Sequence, residues 1–214
     1  FTWENLNPFK EPGQKALQLC DLVVCGNGEA QQLAMPYAKR TMVAIQVGID
    51  MDHFQARPGT RRDARVAYVG RISKEKGVEK LALAWPSALF LDWQPWELLP
   101  WWYSRIQVCV TYSQDTPTWK EQAPNYVSCE QMACGGAVVT SDAGSIPYWL
   151  GGGYCEPCPG AVIVPQDDTI KLRSGIEETV GRWNEMGGLG REWVAEYLGT
   201  PGVARKLLDE FGGL

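Results

Sequence analysis

Histidine is almost absent from this 214-residue sequence, which contains a single one, His53. A catalytic pair of serine or cysteine with any other histidine is therefore excluded, and so is a metal site built from several histidines. Long basic runs are also missing, and the net charge is −5. The sequence does not favour a purely electrostatic nucleic-acid binder, because affinity for the phosphate backbone needs clustered lysine and arginine.

Long apolar runs are missing too. No run approaches the ~20 apolar residues of a membrane-spanning helix, and no secretory signal peptide is visible. The seven cysteines are an odd number, which in this setting predicts free thiols in a reducing compartment and a cytoplasmic location. Cys155 and Cys158 form one CxxC pattern without a second pair. Such a pattern is a poor zinc signal, and we expect no metal site.

The chain alternates strand-like apolar runs with helical patterns. We predict strands near 22–25, 42–47, 65–70, 88–92, 106–112, 137–140 and 161–164. We predict helices near 14–20, 29–37, 74–85, 96–104 and 126–134, with two or three more in 169–211. This alternation is typical of an α/β fold with a parallel sheet and a ligand site at the carboxyl ends of the strands. Residues 51–64 are polar and contain Pro58-Gly59, so they are predicted to form a linker.

The segment VAYVGRISKEKG, residues 66–77, places two cations between a predicted strand and a predicted helix. The strand runs into Gly70-Arg71, and Lys76-Gly77 precedes the helix. The amino terminus of the helix adds its dipole to the same place. Fixed cations in a turn beside a helix amino terminus suit an anionic ligand.

A second polar segment, residues 116–147, carries Glu121 and Glu130 ahead of an apolar strand. An ionised carboxylate accepts hydrogen bonds from two neighbouring hydroxyls at once, so these side chains suit a ligand rich in hydroxyl groups. The turn that follows the strand, Ser141 to Ser145, offers backbone amides as further donors. The segment is therefore suited to bind a sugar.

Together the two segments resemble the donor-binding core of GT-B glycosyltransferases. The resemblance is to the large retaining family (glycosyltransferase group 1) that includes sucrose and glycogen synthases. It is dense from Val66 to Pro147 and thin after Trp149. Weaker matches lie upstream in FTWENLN (1–7), DLVVCGNGEA (21–30) and QVGIDMDHF (46–54).

The resemblance implies a GT-B-like α/β fold in two parts. A Rossmann-like parallel sheet in residues 56–214 would form the donor-binding domain, and residues 1–55 would form a reduced acceptor-side α/β segment. The implied reaction moves a sugar from a nucleoside diphosphate donor, UDP- or GDP-linked, to a hydroxyl acceptor with retention of configuration. It would need neither a metal nor another cofactor.

The resemblance also assigns roles to residues. Arg71 and Lys76 would hold the diphosphate, Glu130 the ribose, and Glu121 or Gln122 the transferred sugar. Gly70, Ser141 and Gly144 would complete the donor site. The family places seven residues between its two glutamates, whereas Glu121 and Glu130 have eight between them. Strict spacing puts Gln122 in the first position, so either residue remains a candidate.

The sequence departs from the family in length. Between Gly77 and Phe90 there is room for one helix, where the family has a further strand and helix. Most of an acceptor domain, with its glycine-rich loop and usual active-site histidine, is not present, so we expect a short or truncated member. The alternative is a nucleotide-sugar-binding subunit that needs a partner chain for catalysis. A homodimer or a partner subunit is expected, because an incomplete domain leaves apolar surface bare.

Four tryptophans lie in residues 93–102, a region that the family uses near the nucleotide base. We expect Trp101 and Trp102 to pack against other side chains instead of contacting a ligand, because tryptophan brings a large apolar area wherever it lies. For Trp93 three roles remain: packing, stacking on a base, or lining an acceptor groove. His53 is expected to be structural.

Overall fold

The structure, a computed structural model, describes residues 11–44, 48–117, 119–121 and 123–212. Strands and helices alternate along the chain. The strands are β1 (Val23–Cys25), β2 (Thr41–Val43), β3 (Ala64–Val69), β4 (Leu89–Leu91), β5 (Ile106–Thr111), β6 (Ala137–Ser141) and β7 (Ala161–Val164). The helices are α1 (Glu11–Leu19), α2 (Gly28–Ala34), α3 (Val78–Ala84), α4 (Leu99–Arg105), α5 (Tyr126–Ala133), α6 (Ile146–Leu150), α7 (Thr169–Tyr197) and α8 (Thr200–Gly212). Short 3₁₀ helices at Lys74–Lys76 and Trp96–Leu98 precede α3 and α4.

Five parallel strands form the main sheet, in the order β4-β3-β5-β6-β7. The chain leaves β3, forms the edge strand β4, and then returns to the other side of β3 to form β5. The direction of strand addition therefore reverses between β3 and β5. A crevice opens at such a reversal, outside the carboxyl ends of the two strands, and ligands of open α/β sheets bind there.

Both faces of the main sheet are buried, which explains the continuous apolar runs of its strands. Along β3, Val66 and Tyr68 pack with α3 and the first half of α7. Ala67 and Val69, which alternate with them, pack on the opposite face with α4 and α5. All five predicted strands of this sheet are confirmed to within about two residues. The single helix α3 between β3 and β4 agrees with the short spacer seen in the sequence.

A second, two-stranded parallel sheet pairs β1 with β2, and α1 and α2 flank it. Its small core contains Leu17, Cys25 and Ala34. Strand β2 ends at Val43, and part of the predicted strand, residues 45–47, lies outside the described residues, as does the match at 1–7. The predicted domain division at residue 55 stays a prediction.

The two sheets are joined by contacts from distant parts of the chain. The indole Nε1 of Trp149 donates to the carbonyl of Gly26 at 3.0 Å. Ile49 forms a bridge with Gly199, between α7 and α8. Helix α8 also reaches the first segment, where Arg40 lies 3.0 Å from the carboxylate of Glu210. The C-terminal helix thus packs against the segment that precedes the main sheet.

The predicted linker, residues 51–64, is coil up to the start of β3, but it is not free of the rest of the molecule. Phe54 is 3% exposed and belongs to the main core. The guanidinium of Arg62 donates to the main-chain carbonyls of Tyr103, Ile106 and Cys134. These bonds hold the entry to β3 against the ends of α4 and α5. Burial lowers the pKa of Arg62.

All seven cysteines lie in the described residues, and none of them forms a disulfide bond there. Within the described ranges, no helix is both long and apolar enough to cross a membrane. The same ranges contain no group of three or more histidine, cysteine, aspartate or glutamate side chains that could hold a metal ion.

Candidate functional site

A cavity of about 130 Å³ lies at the carboxyl ends of β3 and β5, in the crevice where the strand order reverses. Its lining includes three of the residues selected from the sequence, Gly70, Arg71 and Lys76. The complete lining is Tyr68, Val69, Gly70, Arg71, Lys76, Thr111, Ser113, Asn125 and Val127. The fold therefore brings the cationic segment and the start of α5 to one place.

Glycines shape the loop that carries the two cations. Gly70 follows β3 with φ of +130°, and Gly77 closes the 3₁₀ helix with φ of +61°. A Cβ atom on Gly77 would lie only 2.1 Å from the main-chain oxygen of Tyr112. The loop is thus in direct backbone contact with the end of β5. This contact places Lys76 over the crevice.

Lys76 is the cation best placed in the site. Its Nζ lies 3.0 Å from Oε2 of Glu121 and 4.6 Å from the centre of the Trp119 ring. The same carboxylate oxygen accepts a hydrogen bond from the hydroxyl of Ser113 at 2.8 Å. The side chains of Lys76 and Glu121 are 22% and 14% exposed. A partly buried ammonium and carboxylate therefore stand side by side at the edge of the cavity.

Arg71 has a different environment. Its main-chain oxygen accepts a hydrogen bond from the Tyr68 hydroxyl at 2.5 Å, which anchors the loop. Its guanidinium is 67% exposed and pairs with Glu75 at 2.7 Å. An exposed ion pair of this kind contributes little to stability, so the guanidinium can exchange this partner for another anion at small cost.

Ser141 and Gly144 contact the backbone of Ser113 and Glu121. The buried hydroxyl of Ser141 donates to the main-chain oxygen of Ser113 at 2.5 Å. Gly144 has φ of +53°, and a Cβ there would lie 2.2 Å from the oxygen of Glu121. The amide of Ser145 donates to that oxygen at 2.8 Å. Ser141, Gly144 and Ser145 thus fix the backbone of Ser113 and Glu121. Direct contact of Ser141 and Gly144 with a ligand stays a prediction.

Glu130 lies in the middle of α5, one helical turn beyond Val127, which lines the cavity. Oε2 of Glu130 accepts a hydrogen bond from the hydroxyl of Tyr103 at 2.8 Å. Burial raises the pKa of Glu130 to about 7, against the effect of this hydrogen bond. The carboxyl therefore changes its charge near neutral pH. Gln122, the alternative to Glu121, lies outside the described residues.

Several residues of the site were not selected from the sequence. Ser113, Trp119 and Tyr103 contact Glu121, Lys76 and Glu130 through pairings that no local pattern indicates. Asn125 could have been found from the sequence, because asparagine is a preferred residue at the start of a helix. In the structure its side chain caps α5 by accepting a hydrogen bond from the amide of Ser128. Asn125 also has φ of +58°, a strained backbone at the cavity wall.

The tryptophans of residues 93–102 differ in their environments. Trp102 packs against the main core, as predicted, and its Nε1 donates to Gln94 at 3.0 Å. Trp101 is 41% exposed because α4 turns this position toward solvent, and its ring packs edge-on against Trp102 with ring centres 4.6 Å apart. Trp93 is 77% exposed. His53 stacks on Trp96 with ring centres 3.4 Å apart, which agrees with a structural role.

No family model matches this chain, and no curated protein matches its sequence. Solved structures do match its fold. Sucrose-phosphate synthase from Thermosynechococcus elongatus aligns with a TM-score of 0.71 at 19% identity, covering 94% of this chain and 60% of that one. HepE from Anabaena, solved in complex with UDP-glucose, aligns with a TM-score of 0.72 at 15% identity, covering 100% and 69%. The C-terminal domain of a glycosyl transferase group 1 family protein from Francisella tularensis aligns at 0.57 and 14%, covering 71% and 99%.

These similarities establish the fold. The chain has the GT-B-like α/β architecture that the sequence predicted, with a Rossmann-like parallel sheet. It spans 60% of the length of the sucrose-phosphate synthase chain. The isolated C-terminal domain from Francisella tularensis is matched along nearly its whole length.

Proposed function

We propose that this chain binds a nucleoside diphosphate sugar and takes part in transfer of the sugar to a hydroxyl acceptor. The observation that carries this proposal is the pairing of Lys76 with Glu121 at the cavity between β3 and β5. In a nucleoside diphosphate sugar, the sugar is bonded directly to the outer phosphate. A site for it must therefore place a phosphate-binding cation beside a hydroxyl-binding carboxylate, and Nζ of Lys76 lies 3.0 Å from Oε2 of Glu121.

Each residue then has a role in transfer. Lys76 and Arg71 bind the diphosphate and stabilise the charge that develops on it as the glycosidic bond breaks. Glu121 or Gln122 binds hydroxyls of the sugar, which becomes oxocarbenium-like in the transition state. Glu130 binds the ribose. The complex of HepE with UDP-glucose favours a UDP-linked donor here as well. We further propose that transfer retains the configuration of the sugar and requires no metal.

The second candidate is a nucleotide-sugar-binding subunit whose catalysis needs a partner chain. The cavity of about 130 Å³ is smaller than the ~300–1,000 Å³ of most ligand pockets, which favours a site that further residues complete. Leu19 and Met35, on the helices of the two-stranded sheet, are 82% and 60% exposed. These side chains suit contact with a second copy or a partner subunit.

The first test is binding of UDP, GDP and ADP, and of their glucose conjugates, measured by thermal shift. A ligand at 100 times its Kd stabilises the folded chain by about 2.7 kcal/mol, which is readily detected. We expect one nucleotide to stabilise the chain and Lys76→Ala to abolish the shift. The matched control is Lys74→Ala, which removes the same charge from the same 3₁₀ helix but not from the cavity lining. Equal shifts in both variants, or no shift with any nucleotide, would contradict the proposal.

The two candidate functions separate by turnover. The purified chain is incubated with the nucleotide sugar that binds, and release of free nucleoside diphosphate is followed. Hydrolysis or transfer by the chain alone supports an enzyme. If the chain binds the nucleotide sugar without turnover, and a second protein or an added acceptor-side domain restores turnover, the result supports the binding subunit.

A further inference from the structure

A fully buried tyrosine lies next to the carboxyl that is proposed to bind the ribose. Tyr103, on α4, is 0% exposed, and its hydroxyl donates to Oε2 of Glu130 at 2.8 Å. Its ring packs 6.2 Å from that of Phe54, and its main-chain oxygen accepts a hydrogen bond from Arg62 at 2.9 Å. The tyrosine is therefore held by its neighbours on both sides, and its hydroxyl is a fixed donor.

The bond occupies one of the two carboxylate oxygens of Glu130. No other group within the described part of the chain donates a hydrogen bond to this carboxyl. Glu130 is three residues after Val127, which lines the cavity, so the two side chains lie on the same side of α5. A carboxylate oxygen without a partner, one turn from the cavity, is available to a hydroxyl of a bound ligand.

We propose that Tyr103 is a positioning residue for donor binding, which holds Glu130 through one carboxylate oxygen and leaves the other to accept hydrogen bonds from the ribose hydroxyls. The inference rests on the proposed function. Without the tyrosine hydroxyl, the carboxyl keeps its place on α5 but loses both its orientation and the hydrogen bond that favours its ionised form.

Donor affinity should then depend on pH in the neutral range. The titratable groups that face Glu130 are Tyr103 from α4, Cys109 from β5, Cys129 from its own helix and Cys134 directly after that helix. Burial raises the pKa of Cys109 and of Cys134 to about 12, and it raises those of Cys129 and Tyr103 well above their ordinary values. Among these groups, Glu130 is the one that changes charge near pH 7.

The raised pKa of Glu130 sets the direction in which donor affinity changes with pH. A carboxyl with a raised pKa is protonated below that value and ionised above it, and an ionised acceptor forms hydrogen bonds about twice as strong as a neutral one. Affinity for a ribose diol should therefore increase as pH rises through about 7. The hydrogen bond from Tyr103 lowers the pKa of Glu130, so its removal should move the midpoint to higher pH.

The test measures the Kd of UDP by calorimetry between pH 5.5 and pH 9, a range that extends about 1.5 units below and about 2 units above the pKa of Glu130. For the wild-type chain we expect tighter binding at high pH. In Tyr103→Phe the rise should begin at higher pH, with an affinity about five-fold weaker than wild type at pH 7. At pH 9 the difference should be smaller but still present, because the ionised carboxylate lacks the hydrogen bond that orients it. Glu130→Gln should bind weakly at every pH. The control is Tyr154→Phe, which also removes one tyrosine hydroxyl, here one that accepts a hydrogen bond from Lys206. It should leave the pH profile of UDP affinity unchanged.

A second probe tests the inference on the wild-type chain alone. The ligand 2′,3′-dideoxy-UDP has the diphosphate and the base but lacks the ribose hydroxyls. Its affinity should be weaker than that of UDP at pH 9. Between pH 5.5 and pH 9 its affinity should rise less than that of UDP, because the terminal phosphate, with a pKa of about 6, titrates in both ligands whereas Glu130 affects only UDP. Equal pH dependence of the two ligands would overturn the inference.

The remaining outcomes are decisive as well. If Tyr103→Phe weakens binding by the same factor at every pH, the tyrosine is only structural and the inference is wrong. If it leaves the profile of the wild-type chain unchanged, the inference is again wrong while the proposed function stands. If the wild-type chain binds neither UDP nor another nucleotide at any pH, the proposed function fails together with it.

Discussion

Gly77→Ala tests whether the backbone contact between the cationic loop and β5 positions the candidate site. Gly77 has φ of +61°, in the left-handed region, where an alanine costs about 1 kcal/mol or slightly more. The added Cβ would also lie 2.1 Å from the main-chain oxygen of Tyr112. Neither atom belongs to a flexible side chain, so the loop must move by about 1 Å, and crowding of this kind costs about 1–3 kcal/mol. We therefore expect the free energy of unfolding to fall by about 2–4 kcal/mol.

Gly59→Ala is the matched control. Gly59 also has a positive φ, +75°, but nothing lies within 4 Å of the position of its Cβ. It should cost only the backbone contribution, about 1 kcal/mol. The two variants are compared by urea unfolding followed by tryptophan fluorescence, with calorimetric UDP binding on the folded proteins. Gly77→Ala should also weaken nucleotide binding, because the displacement carries Lys76 with it. Equal destabilisation by the two variants, or unchanged UDP affinity in Gly77→Ala, would refute the reasoning.

Two further predictions concern packing away from the cavity. In α7, nothing lies within 4 Å of a Cβ at Gly188, so Gly188→Ala should raise the free energy of unfolding by about 1 kcal/mol. Gly187→Ala should lower it by about 2 kcal/mol, because its Cβ would lie 2.3 Å from the main-chain oxygen of Gly135; equal effects in urea unfolding would contradict this packing. Trp149→Phe removes the hydrogen bond to Gly26 and part of a fully buried ring, at a cost of about 2–3 kcal/mol. It should also increase hydrogen exchange in β1 and α2, and unchanged exchange there would show that the indole does not hold the first segment.

Local patterns predicted most of the main sheet because its strands are short apolar runs between turn residues. Both faces of β5 are buried, so every position from Val108 to Thr111 is apolar or hydrogen-bonded inside, and the run is easy to recognise. The linker was harder. Residues 51–64 are polar and were predicted to form a linker, but the half-buried guanidinium of Arg62 donates to three main-chain carbonyls from distant parts of the chain.

The candidate site likewise contains residues that a local motif predicts and residues that only the tertiary structure brings together. Gly70, Arg71, Lys76 and Gly77 form a local motif, and the structure places the first three at the cavity. The partners of the charged residues come from elsewhere. Lys76 meets Glu121 from 45 residues away, and Glu130 meets Tyr103 from 27 residues away. No spacing along the chain identifies such pairs, because strand order and helix packing decide which loops meet.

The amino-acid sequence by itself determined the α/β class, the strands of the main sheet and the cationic turn after β3. These features depend on apolar periodicity, turn residues and glycine, which act over a few neighbouring residues. Only the tertiary structure decided that the turn lies at the reversal of strand order, that Glu121 pairs with Lys76, and that Tyr103 bonds to Glu130, whose pKa burial raises. The physical reason is that burial and long-range contact set the charge and orientation of these side chains, and both arise only when the sheet and its helices have packed.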